Sequence, residues 1–145
     1  MYAFLALIVW GLAEWCDRKL TGAWTWWIPL AIAIFGSMLL YASQLSVRAS
    51  EWMLVPVTWV TELWAMVAGE PLPTTWVMSA IAGACLLVTV WDVVKDHAYN
   101  GKARFALIIA PIAAHQADGW VGGLVDAVHS AGAEIAVMLT GGMLG

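Results

Sequence analysis

Apolar residues run almost unbroken from Met1 to Ala13, from Trp24 to Ala42 and from Thr74 to Val94, and polar residues gather in short clusters between these runs. Continuous apolar stretches of this length predict membrane-spanning helices. The first run is followed by Glu14, Asp17, Arg18 and Lys19. A secretory signal has the reverse order, with its positive charge ahead of the apolar core, so the segment is expected to be retained. At about 1.5 Å per residue it falls short of a hydrocarbon core near 30 Å thick and would need local thinning of the bilayer. The second run, 24–42, has only Thr25 and Ser37 as polar interruptions, with Trp24, Trp26 and Trp27 at one end and Tyr41 at the other. Such aromatic belts mark the two interfaces of a span, and Pro29 falls in the first turn, where its missing N–H costs little. In the third run, 74–94, Trp76 and Trp91 hold the equivalent positions.

Residues 51–68 follow another rhythm. Trp52, Pro56, Trp59, Leu63 and Met66 recur at spacings of three and four, and Thr58, Thr61 and Glu62 interrupt them. This predicts an amphipathic helix with an aromatic face, lying in the interface plane or spanning with its polar side against protein. The segment 95–104, with Lys95, Asp96, His97, Asn100-Gly101, Lys102 and Arg104, reads as an aqueous linker.

The basic residues test these assignments against one another. Arg18 and Lys19 form one cluster and Lys95, Lys102 and Arg104 a second. The positive-inside tendency places both in the cytoplasm, which requires an even number of crossings between them. Counting 24–42, 51–68 and 74–94 as spans makes that number odd, and treating 51–68 as interfacial or re-entrant restores parity. The expected topology has the N-terminus outside, the first loop and the linker 95–104 in the cytoplasm, and the Glu70-Pro71-Leu72-Pro73 break outside.

Beyond Arg104 a short apolar helix, 105–114, contains Pro111 and leads into the polar knot His115-Gln116-Ala117-Asp118-Gly119. If one helix continues from residue 115, then His115, Asp118, Gly122, Asp126, His129, Ala133 and Thr140 fall within roughly 80° of arc. Beside that polar stripe Gly119, Gly123, Ala127 and Ala131 recur every fourth residue, the small-residue ridge that lets helices approach closely in lipid. His115, Asp118, Asp126 and His129 could carry protons or hold a cation, could line a wet lumen between associated copies, or could be the solvated side of an amphipathic tail.

Composition agrees with a membrane setting. The chain of 145 residues is 63% hydrophobic and 11% charged, far from the quarter or so of charged residues usual in soluble domains. A net charge of −4 leaves nothing to neutralise a run of phosphates and disfavours nucleic acid as a partner. Eleven tryptophans suit the bilayer interface, where the ring is shielded and its N–H stays wet; Trp52 and Trp59 join Trp24, Trp26, Trp27, Trp76 and Trp91 as expected anchors. Cys16 and Cys85 stand in unrelated apolar contexts and read as packing residues. There is no Gly-x-Ser-x-Gly elbow, no His-Glu-x-x-His, no P-loop and no internal repeat. Asp92, Asp96 and His97 read as interfacial charges at the end of a span, and Glu62 as the polar side of an interfacial helix.

The expected fold is all-α: a small polytopic membrane protein with about three spanning helices, the interfacial or re-entrant helix 51–68, and a C-terminal helical hairpin or long amphipathic helix. Residues 1–104 would form the embedded region, and 105–145 the oligomerisation element. In size and hydropathy the chain resembles small phage- or plasmid-encoded bacterial membrane proteins, holin-like ones among them. That resemblance is one of form. The expected function is non-enzymatic self-association in the bacterial inner membrane, as a homo-oligomeric pore or conduit or as a structural subunit. Its partners would be the lipid bilayer, copies of itself and other membrane proteins, with no cofactor and no bound metal. The alternative is a small proton- or metal-ion-coupled transporter using the His115/Asp118/Asp126/His129 stripe.

Overall fold

The computed structural model of the chain describes residues 1–20, 25–97 and 99–144, without the side chains of 121, 125, 136 and 140–144. The described chain is all-helical, with 86% of it in helices and no strand. Six helices follow one another: α1 (Tyr2–Lys19), α2 (Trp27–Tyr41), α3 (Gln44–Ala68), α4 (Thr74–Asp96), α5 (Gly101–Ala114) and α6 (Gly119–Leu144). The main packed pairs are α1 with α2 and α4 with α5, and α6 lies against α2 and α4.

The interior is built mostly from alanine. Ala6, Ala13, Ala33, Ala82, Ala103, Ala106, Ala110, Ala113 and Ala114 are buried, joined by a few larger side chains such as Leu39 and Met78. Bulky apolar residues point the other way: Phe4, Leu7, Trp15, Trp52, Trp59, Leu87, Trp91 and Phe105 are all exposed. Small residues bring helix backbones close when the surroundings are as apolar as the side chains, so dispersion between close-packed helices replaces the missing hydrophobic drive. Gly36 is the tightest instance. The Trp10 indole of α1 lies where a β-carbon of residue 36 would sit, so only glycine lets α1 and α2 meet there.

Three of the breaks have a local cause. Ser43 caps α3, its Oγ accepting from Ser46 N and donating to Leu40 O at 2.6 Å, so a new helix starts two residues after α2 stops. The two helices meet at 78°. Asn100 caps α5 by accepting from the backbone N–H groups of Lys102 and Ala103. This makes α5 longer than the expected 105–114, and the expected linker 95–104 gives up residues 95–96 to α4 and 101–104 to α5. The expected helix running on from residue 115 is interrupted. Gln116 and Ala117 turn back on the carbonyls of Ala113 and Ala114, and Gly119 takes φ +73°, a left-handed conformation that glycine adopts without cost.

Among the described residues, two helical segments are long and apolar enough to cross a membrane, α4 (Thr74–Asp96) and Gly122–Leu139 of α6, and the bent pair α2–α3 is a third if it counts as one broken span. The expected span at 74–94 therefore stands as a helix of sufficient length. The run 24–42 becomes a helix of only 15 residues, because Ser43 restarts the chain, and reaches span length only together with α3. Helix α1 ends in Glu14, Asp17, Arg18 and Lys19, too many charges for a conventional span.

Candidate functional site

The elbow between α2 and α3 leaves carbonyls of the last turn of α2 without helical partners, and buried carbonyls of this kind must find donors elsewhere. Ser46, in the first turn of α3, reaches back to Tyr41 O at 3.1 Å and to Ser43 O at 2.9 Å. His115, at the end of α5, brings Nε2 to 3.1 Å from the same Tyr41 O and 2.8 Å from Ser46 Oγ. A carbonyl can only accept, so Nε2 carries the proton and the neutral ring keeps its basic lone pair on Nδ1. The imidazole also stacks on the Tyr41 phenol, with centroids 4.3 Å apart and planes 2° from parallel. Burial, partly offset by the bond to Tyr41 O and the charge of Asp126, holds the His115 pKa below its ordinary value.

Helix α6 completes the cluster. Tyr41 donates its hydroxyl to Asp126 Oδ1, and the buried His129 ring lies tilted to the phenol with centroids 5.6 Å apart. Three of the four expected stripe residues therefore meet at Tyr41. Asp118 does not, because the turn at 115–118 takes it to α4. Its backbone N–H donates to Ser79 Oγ at 2.7 Å, and its Oδ1 accepts from Gly119 N. Gly122 packs on the backbone of Ala117, Ala133 is buried, and the side chain of Thr140 lies outside the described residues.

Ser46 is the member that the sequence does not single out, and Tyr41 stands there only as an interfacial aromatic at the end of a span. The available signal was the spacing Ser43-x-x-Ser46, which suits a helix start and so places both hydroxyls at a break. Alongside, Gln116 Nε2 donates to Ser50 Oγ at 3.2 Å, so one polar seam holds the end of α5 to the start of α3. The polar side of α3 thus faces protein through Ser46, Ser50 and Thr61. Its aromatic face is outward: Trp52 is 81% exposed and Trp59 70%, with Pro56, Leu63 and Met66 exposed beside them. Glu62 is also exposed.

The small-residue ridge lies on the exposed side of α6. Gly119, Gly123, Ala127 and Ala131 are all exposed, and a β-carbon added at Gly119 or Gly123 would meet open space. The glycines that α6 uses inside the chain are Gly122 and Gly132, the latter beneath Met38 of α2.

A second polar cluster ties the opposite ends of these helices together. Arg104 donates to Glu14 Oε2 at 2.8 Å, to Asp17 Oδ2 at 2.5 Å and to Tyr99 O at 3.3 Å, and its guanidinium lies 4.8 Å from the Tyr99 ring centroid. Tyr99 is buried, and its hydroxyl is pushed up to about 12 by burial and by Glu14 and Asp17, against the opposing pull of Arg104. The rings of Trp26 and His97 meet at 5.4 Å. Both basic clusters read from the sequence therefore lie at one end of the molecule. Asp92, expected among interfacial charges, is instead buried, with Oδ2 lacking a partner among the described residues, while Asp96 and His97 are exposed.

Of the expected anchors, Trp27, Trp52, Trp59, Trp76 and Trp91 are exposed, Trp26 is half-buried, and Trp24 lies outside the described residues. Cys16 is buried and Cys85 half-buried, both as free thiols. A groove of about 310 Å³ between α1, the elbow and α5 is lined by Ala3, Ala6, Trp10, Leu40, Leu45 and other apolar groups, with Ser46 at its edge. Among the described residues no three His, Cys, Asp or Glu side chains converge as a metal ion would require. Comparison of the chain with protein families, curated proteins and solved structures finds no match.

Proposed function

We propose that this chain is a non-enzymatic, self-associating integral membrane protein that builds a homo-oligomeric pore or conduit, or the frame of a larger membrane assembly. The membrane setting is supported by the arrangement of an alanine interior inside a tryptophan- and leucine-rich exterior. Self-association is carried by the ridge Gly119/Gly123/Ala127/Ala131, which lies exposed on α6, while Gly122, His129 and Gly132 serve its packing within the chain. The setting is the bacterial inner membrane, with the N-terminus outside and the end that carries Arg104 in the cytoplasm, following the positive-inside tendency.

The test is particle mass in detergent for the wild type and for Gly123→Leu. Residue 123 has open space within its own chain, so leucine leaves the protomer folded and reduces the oligomer to single chains. An unchanged mass for the variant would remove the ridge from the reading, and a monomeric wild type would end it.

The second reading is a small proton-coupled carrier. It is favoured by the meeting of His115, Asp126 and His129 at Tyr41, groups that can pass a proton in short steps. Here Asp126→Asn abolishes proton flux into vesicles carrying a pH dye and leaves particle mass unchanged.

A further inference from the structure

One pairing repeats on three helices at the end of the molecule that Arg104 ties together. On α1 the exposed Trp15 precedes the exposed Lys19 by four residues; on α4 the exposed Trp91 precedes Lys95 by four; on α5 the order is reversed with the chain direction, Lys102 preceding Phe105 by three. Three or four residues are about one helical turn, so each aromatic residue and its cation share a helix face, with their backbones about 4.5–6 Å apart along the axis. The bonds from Arg104 to Glu14 and Asp17 bring the start of α5 to the end of α1, and the Trp26–His97 contact brings the start of α2 to the end of α4. The three exposed cations therefore lie at one end of the molecule, each about one turn from its exposed aromatic partner, and exposed Trp27 adds a ring from α2.

The local formal charge is slightly positive, with Arg18, Lys19, Lys95, Lys102 and Arg104 against Glu14, Asp17, Asp92 and Asp96. Glu14 and Asp17 are engaged by Arg104, and Asp92 is buried, which leaves Asp96 as the exposed carboxylate against Arg18, Lys19, Lys95 and Lys102. Elsewhere the chain is acidic: Arg48 stands against Glu51, Glu62, Glu70, Asp118, Asp126 and Glu134.

We infer that this end of the molecule docks on a bilayer leaflet rich in anionic phospholipid, with Lys19, Lys95 and Lys102 taking headgroup phosphates while Trp15, Trp91 and Phe105 seat one turn deeper. Indole and phenyl rings favour the carbonyl level of a bilayer, and an ammonium on a flexible stem reaches the phosphate level above it. Each such cation strengthens attachment to an anionic surface, and salt screens the effect. The inference rests on the chain being membrane-embedded, as proposed above.

The experiment places full-length protein in nanodiscs of phosphatidylcholine alone and of phosphatidylcholine mixed equally with phosphatidylglycerol, and follows thermal unfolding. The midpoint rises by several degrees in the mixed discs at low salt. The gain disappears near 1 M salt, where the screening length is about 3 Å, and in the triple variant Lys19→Gln, Lys95→Gln, Lys102→Gln. Arg48→Gln keeps it. Equal midpoints for the wild type in the two lipids would overturn the inference, as would a triple variant that retains the full gain. If the triple variant fails to fold, the lipid and salt dependence of the wild type decides alone. Failure to enter phosphatidylcholine discs at all would instead count against the membrane reading itself.

Discussion

Tyr41, the last residue of α2, gives its hydroxyl to Asp126 on α6, 85 positions away, and presents its ring to two histidines at once. One side chain thereby joins α2, the α5–α6 junction and α6 at the elbow where α3 departs. Removing the hydroxyl with Tyr41→Phe leaves the ring stack and takes away the bond. The expected loss is about 1.5–3 kcal/mol, the range for a hydrogen bond to a charged group. A double-mutant cycle with Asp126→Asn, read from denaturation midpoints in detergent, checks it, and strictly additive losses would mean that the two residues are not coupled.

His115 makes stability depend on pH. Its ring is held neutral by burial against Tyr41 and Ser46, so its folded pKa lies below the ordinary value of about 6.5. Between those two values the unfolded chain binds the proton and the folded chain does not. Stability is therefore full above about pH 6.5 and declines as the pH falls, until the folded ring itself protonates. Thermal midpoints measured across this window are expected to drop with acidification, and His115→Gln, which keeps a donor and cannot titrate there, flattens the drop.

Two glycines of the helix contacts differ in tolerance. Gly36→Ala drives a methyl group into the stiff Trp10 indole and is expected to cost about 1–3 kcal/mol through displacement of α1. Gly132→Ala meets the flexible thioether of Met38, which can move aside, so its cost is smaller. Gly11→Ala, in open space on α1, gains up to about 1 kcal/mol of helix propensity. The order of unfolding midpoints across the three variants tests the α1–α2 and α2–α6 contacts together.

Arg104→Met leaves Glu14 and Asp17 facing each other without a cation. These side chains are about one-third exposed, so solvent moderates the loss to about 1 kcal/mol, and the difference from wild type narrows in high salt. A salt-independent difference would place the effect in the contact of the guanidinium with the Tyr99 ring instead.

Topology has a direct assay. Arg48 follows the elbow on α3, and Asn100 caps α5 at the end that holds Arg104. Cysteines introduced at 48 and 100, with Cys16 and Cys85 replaced by serine, are expected to react with impermeant reagents from opposite sides of the membrane. Labelling from one side would overturn the assignment of both basic clusters to the cytoplasm.

Composition and periodicity alone determined that the chain is all helix, that 74–94 is a helix of spanning length, and that residues 51–68 have an aromatic face. These follow from local pattern, since a run of apolar residues or a three-and-four spacing is the same in any tertiary setting. The bonds from Arg104 to Glu14 and Asp17 bring the two basic clusters to one end of the molecule. Only the tertiary structure decided that the stripe divides, with Asp118 going to Ser79 while His115, Asp126 and His129 go to Tyr41. A left-handed glycine at 119 changes the direction of the chain without altering the polar rhythm on either side of it. The burial of Asp92 and the orientation of α3, serines inward and tryptophans outward, were likewise settled by which neighbours the folded chain brings to each face. Periodicity defines the two faces of a helix, and packing determines what each one meets.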